Sequence, residues 1–132
     1  MEAAADILII EDDKDLVNSL RIILEDKKYN VRASYNGKEG FGEVEKKTPD
    51  LILLDVMMAT DTEGFDLAYK LRNNPKYKDI PIIMITSFVQ KMAEIGPEKF
   101  QHILGESWPV SHILEKPIEP EKLLAVIKDF LQ

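Results

Sequence analysis

A chain of 132 residues with 24 acidic and 17 basic side chains, net charge −7, is the size of one domain and lacks the basic surface that a phosphate backbone demands. The absence of cysteine excludes disulfides, thiolate metal sites and cysteine nucleophiles, and fits a reducing compartment. The opening MEAAAD is acidic and the apolar run after it ends at Ile10, so the expectation is one cytoplasmic domain over 1–132, with neither leader nor membrane segment.

Short blocks of Ile, Leu and Val alternate with longer segments of helical spacing, which predicts an α/β domain with a parallel sheet. Ile7 to Ile10 is the first predicted strand. Lys14 to Lys28 follows as a helix, with Asp13 as N-cap and Leu16, Leu20, Ile23 and Leu24 turned inward. Tyr29 to Ser34 is more polar and reads as an edge strand. Asn36-Gly37 then turns into a short helix reaching Lys47, and Thr48-Pro49-Asp50 breaks it. The lysine pairs Lys27-Lys28 and Lys46-Lys47 read as helix ends.

Leu51 to Leu54 is apolar enough to require cover on both faces, so it belongs at the centre of the sheet. A helix from Gly64 to Asn73, closed by Asn73-Asn74-Pro75, leads to a strand over Ile82 to Ile85. Phe88 to Leu104 has helical spacing interrupted at Gly96-Pro97, and Gly105 to Pro109 is irregular. A short strand within Val110 to Leu114 and a closing helix over Glu121 to Leu131 complete the chain, with Leu123, Leu124, Ile127 and Phe130 expected inward.

In open parallel sheets ligands gather at the carboxyl ends of the strands, so the residues after each apolar block carry the functional information. Those residues are Glu11-Asp12-Asp13, Asp55, Thr86-Ser87 and Glu115-Lys116-Pro117. If the first, third and fourth strands are neighbours, Glu11, Asp12 and Asp55 converge, and their mutual repulsion calls for positive charge. Lys116 supplies some, and a hard divalent cation such as Mg²⁺ supplies more. With Thr86 as hydrogen-bond donor, this set suits phosphoryl transfer to Asp55 as nucleophile. Alone, the acidic run would read as a solvated loop with a cap. His102 and His112 have no partner at ligand spacing and read as structural.

The chain resembles the receiver domains of two-component response regulators along nearly its whole length. ILIIEDD, PDLILLDVMM, DIPIIMITS and EKP carry the resemblance, in that order. It implies a doubly wound, flavodoxin-like fold with five parallel strands in the order 2-1-3-4-5. It also implies Asp55 as phosphoacceptor with Thr86 and Lys116. Mg²⁺ is then held by Glu11, Asp12, Asp55 and the backbone carbonyl of Met57. The implied protein is a stand-alone receiver without an output domain. It takes a phosphoryl group from a histidine kinase or phosphotransfer protein, and it signals through the predicted helix over 88–104, the fifth strand and the closing helix. The downstream protein partner and homodimerisation on phosphorylation stay open, and neither nucleic acid nor membrane is implied as a partner.

Three features depart from the family pattern. Met58-Ala59 replaces the usual Met-Pro after the acceptor, with Gly64 late. The segment between Thr86 and Lys116 is long and holds Ser107-Trp108-Pro109. Ile113 stands where the family carries the aromatic switch residue, which transfers the packing response to Ile113 with Phe88 or Trp108. Met57 and Phe88, bulky and flanking the acceptor by resemblance, predict slow self-dephosphorylation. Two other functions fit parts of the pattern: a pseudo-receiver adaptor independent of phosphate, and a phosphatase with an aspartyl-phosphate intermediate. The phosphatase lacks its usual acid two residues after the nucleophile, where Met57 stands.

Overall fold

Strands β1 (Asp6–Ile10), β2 (Asn30–Ser34), β3 (Leu51–Asp55), β4 (Ile82–Thr86) and β5 (His112–Glu115) form one parallel sheet in the order β2-β1-β3-β4-β5. The computed structural model describes residues 4–55, 63–86 and 111–131. Its helices are α1 (Lys14–Asp26), α2 (Gly37–Lys46), α3 (Glu63–Arg72) and α4 (Pro120–Leu131). The order implied by resemblance is the one observed. The edge position of β2 and the central position of β3 also match their polarity.

Alternation along each strand divides the apolar side chains between two cores. Leu8, Ile10, Ile52, Leu54, Ile82 and Met84 pack with Val44, Leu67, Ala68 and Leu71 beneath α2 and α3. Ile7, Ile9, Leu51, Leu53, Ile83 and Ile85 pack on the other face with Val17, Leu20 and Leu24 of α1 and Leu123 and Ile127 of α4. Both faces are therefore covered, as the all-apolar β3 requires.

Helix ends follow local chemistry. Asp13 caps α1 by accepting from the amides of Asp15 and Leu16 at 3.0 and 3.2 Å. Asn36 caps α2 through the Glu39 amide at 2.8 Å, with Gly37 the first helical residue. α1 ends at Asp26, earlier than Lys28, because Lys28 takes a left-handed φ of 72°. The Lys28 amide then reaches the Glu25 carbonyl and the Tyr29 amide reaches Leu24, satisfying carbonyls of the last turn.

Two expectations about the core need correction. Val17 is buried in α1, whereas Leu16 and Ile23 are only partly covered. Phe130, expected inward, is 36% exposed and stands edge-on to His112 with ring centroids 6.4 Å apart. Its place near the end of α4 carries it past the sheet, so it covers the edge strand instead of the core. His112 is exposed, in keeping with a structural role.

The glycines of α2 separate a packing demand from a merely tolerated residue. A Cβ on Gly40 would lie 2.6 Å from Ile10 Cδ1, while one on Gly42 meets nothing within 4 Å. Gly42→Ala should therefore raise stability by about 0.5–1 kcal/mol through helix propensity, and Gly40→Ala should lower it by about 1–3 kcal/mol through overpacking. Urea unfolding of both variants checks the opposite signs.

The amino-terminal end of the sheet holds a charge cluster of its own. Arg32 grips the buried Asp6 through Nε and Nη2, with Nη2 to Asp6 Oδ2 at 2.9 Å. It also donates to the carbonyls of Glu43 at 3.0 Å and Lys47 at 2.7 Å, tying the end of α2 to β1. This lies opposite the rim where the candidate site forms. Among the described residues, no helix is long and apolar enough to cross a membrane.

Candidate functional site

Sheet register assembles the site. Ile10 pairs with Leu54, so Glu11 and Asp55 come one step further on, side by side at the carboxyl ends of β1 and β3. Thr86 pairs with Glu115, which places Lys116 just beyond the same rim. The Glu11 amide donates to the Ser34 carbonyl at 3.1 Å, holding the start of the acidic loop to β2. Rigid strands thus aim three separate stretches of sequence at one point.

Glu11 is fully buried and Asp55 is 1% exposed, whereas Asp12 is exposed. One carboxylate oxygen from each lies within 4.8 Å of the other two. Such a set repels itself in a water-poor setting. Lys116, its side chain 27% exposed, is the offsetting charge, with Nζ 2.7 Å from Glu11 Oε1 and 3.6 Å from Asp55 Oδ2. Sequence reasoning supplied the lysine but not its closer partner, since no spacing rule distinguishes the two carboxylates.

Glu11 spends its other oxygen on the loop, where Oε2 accepts from the Asp13 amide at 3.1 Å. Asp13 itself serves as the α1 cap. Glu11 Oε1 is buried without a hydrogen-bond donor in aligned geometry, so its contact with Lys116 is an ion pair, with lone-pair capacity to spare. A hard cation suits that leftover capacity, and three carboxylates within reach suit a divalent one. The residues present therefore fit Mg²⁺.

Burial pushes Glu11 above the ordinary carboxyl range, the interaction with Asp55 pushes the same way, and Lys116 and the Asp13 amide only partly oppose them. Asp12 is raised as well, by partial burial and by Glu11 beside it. For Lys116, burial acts to lower the pKa, but Glu11 and the charges of Asp55 and Asp13 outweigh it and the net shift is upward. Lys116 is accordingly held as ammonium at neutral pH.

The remaining predicted residues divide into placed and unplaced. Ile113 lies on β5 opposite Met84, partly buried against the α2 and α3 side of the core. Thr86 ends β4, but its hydroxyl lies outside the described side chains. Met57, Phe88 and Trp108, with the rest of 56–62 and 87–110, lie outside the described residues. Sequence reasoning missed Arg72, which donates to the Lys78 and Ile80 carbonyls at 2.7 Å each and to Ser111 Oγ at 3.1 Å. It binds the end of α3 to the approach to β5, and nothing in the residue pattern announces such backbone partners.

The family model of the response regulator receiver domain matches residues 7–128. An uncharacterized 14.6 kDa protein of the sodA1 3′ region of Leptolyngbya boryana is 30% identical over 128 residues, covering 97% of this chain and 91% of that protein. The DNA-binding dual master transcriptional regulator RpaA of Synechocystis is 32% identical over 126 residues, 96% of this chain. The chain spans 48% of RpaA's length. Among solved structures, the chemotaxis response regulator CheY4 of Vibrio cholerae superposes with a TM-score of 0.77 at 30% identity, covering 97% of this chain and 99% of that one.

Proposed function

This chain belongs to the response regulator receiver domain family of two-component phosphorelay signalling, and from that premise we propose that it is a phosphoacceptor whose Asp55 takes a phosphoryl group from a histidine kinase or phosphotransfer protein. The observation that carries the proposal is the convergence of Glu11, Asp12 and Asp55 with Lys116 on one rim. The proposed unit is a single receiver domain over 1–132.

In the proposed reaction an Asp55 carboxylate oxygen forms a bond to phosphorus while the bond from phosphorus to the donor's imidazole nitrogen breaks, the electron pair leaving with the imidazole. The strand beneath Asp55 keeps the nucleophile fixed, sparing the entropy of bringing it to the donor. Lys116, already charged and 3.6 Å from Asp55, offsets the growing negative charge on the transferring oxygens. Thr86 is assigned the hydrogen bond that follows the phosphoryl group once attached. Glu11, Asp12, Asp55 and the Met57 carbonyl would hold Mg²⁺, which when bound supplies charge neutralisation at the phosphoryl oxygens. The chain in this account changes affinity for a protein partner instead of turning over a substrate, and Ile113 transmits the packing response.

Intact mass after incubation with acetyl phosphate and Mg²⁺ tests the proposal. One phosphoryl addition is expected, absent from Asp55→Asn and absent with chelator. No addition under any condition would contradict it and favour an adaptor independent of phosphate.

A further inference from the structure

We infer that Glu11 Oε1 is a contested oxygen: it retains Lys116 in the metal-free protein and releases it when it ligates a divalent cation, so cation binding delivers the lysine toward Asp55. The inference rests on the phosphoacceptor reading and adds to it a regulation of the same site.

Three observations carry it. Lys116 stands nearer to Glu11 Oε1, at 2.7 Å, than to Asp55 Oδ2, at 3.6 Å. That same Glu11 oxygen is fully buried and has no aligned hydrogen-bond donor, so it is the atom with capacity left for a cation. Glu11 cannot swing away to serve both, because Oε2 is committed to the Asp13 amide at 3.1 Å and Asp13 is fixed as the cap of α1. Two cations facing one immobile oxygen repel each other and divide its lone pairs, so each weakens the other by the same factor. The lysine's next acidic partner is Asp55, whose Oδ2 lies 3.6 Å from Nζ. A receiver built this way holds its lysine closer to Glu11 than to the acceptor until the cation is in place.

The experiment records the Lys116 side-chain ammonium resonance by nitrogen-15 NMR in wild type, Asp55→Asn and Glu11→Gln, each with and without Mg²⁺. Backbone amides of residues 11–13 report cation binding in the same samples. Without Mg²⁺, Glu11→Gln is expected to move the ammonium resonance strongly and Asp55→Asn only slightly. Saturating Mg²⁺ is expected to move the wild-type resonance toward its Glu11→Gln position, and Lys116→Met to tighten Mg²⁺ binding about 5- to 100-fold. Glu11→Asp, which draws the carboxylate back by one methylene, is recorded beside Glu11→Gln as a second variant and is expected to move the ammonium resonance in the same direction.

If the amides report Mg²⁺ binding while the ammonium resonance stays at its metal-free position, the exchange is overturned and the phosphoacceptor reading survives. A larger response to Asp55→Asn than to Glu11→Gln overturns it equally. If the amides of residues 11–13 do not respond to Mg²⁺ at all, the cation site fails and the exchange fails with it.

Discussion

Lys116→Met should lower unfolding free energy by roughly 2–3 kcal/mol at neutral pH, somewhat below the loss seen when one member of a fully buried pair is removed. The ammonium is the charge set against Glu11 and Asp55, both nearly without solvent contact. Deleting it leaves the two carboxylates facing each other in a medium that screens poorly. The loss stays short of the fully buried case because Lys116 keeps 27% side-chain exposure and water already offsets part of its charge. Urea unfolding in chelator reads the loss. Addition of Mg²⁺ at about a hundred times its dissociation constant should return roughly 2.7 kcal/mol by mass action. An unchanged midpoint in chelator would mean that water reaches the carboxylates and that the pocket is not the low-dielectric site described.

Glu11→Gln should act in the opposite direction, raising stability by about 0.5–2 kcal/mol at pH 7, within the span usual for relieving unfavourable charge. The folded pKa of Glu11 is raised above its ordinary value of 4.5, so folding favours the protonated acid. Its contribution is present in full below pH 4.5 and is lost as pH rises through the raised folded value. Wild-type stability should therefore decline across that window. Asp12, also raised, contributes in the same sense. Lys116 shares the sign at the other end of the scale, its stabilisation being present below 10.5 and lost as pH rises through its raised folded value. In Glu11→Gln the acid-side decline should shrink to the part due to Asp12. Thermal unfolding of both proteins from pH 4 to 8 in chelator reads the difference, and parallel curves would refute the assignment of the strain to Glu11.

The opposed signs of these two substitutions express one fact: the site carries more negative charge than the protein alone neutralises. Evolved sites accept such cost where a ligand supplies the missing charge.

Much of the fold was readable because its signals are local. ILII and LILL, short and β-branched or aliphatic throughout, read as strands covered on both faces, and Asp13 and Asn36 announce helix starts through side chains that bond neighbouring amides. Leu16 and Phe130 were misplaced for a shared reason. Helical spacing gives a face, but which edge of that face meets the sheet depends on how the helix is set across it. The carboxyl-end rule groups Glu11, Asp12, Asp55 and Lys116 from the sequence alone. What it could not supply was the closer pairing of Lys116 with Glu11, which turns on side-chain length and on the Asp13 amide fixing the carboxylate. The clamps of Arg32 and Arg72 were invisible because each includes backbone carbonyls, which carry no residue-type signal in the sequence.

The central claim is that Asp55 carries the phosphoryl group, and its most direct test locates the modification. Protein phosphorylated by acetyl phosphate with Mg²⁺ is reduced with borohydride, which cleaves an acyl phosphate and marks the carboxylate that bore it, and the digest is sequenced by mass spectrometry. The account predicts a single mark, at Asp55, absent when Mg²⁺ is omitted. A mark at Asp12 or Asp13, or phosphate retained elsewhere in a form stable to reduction, would contradict it.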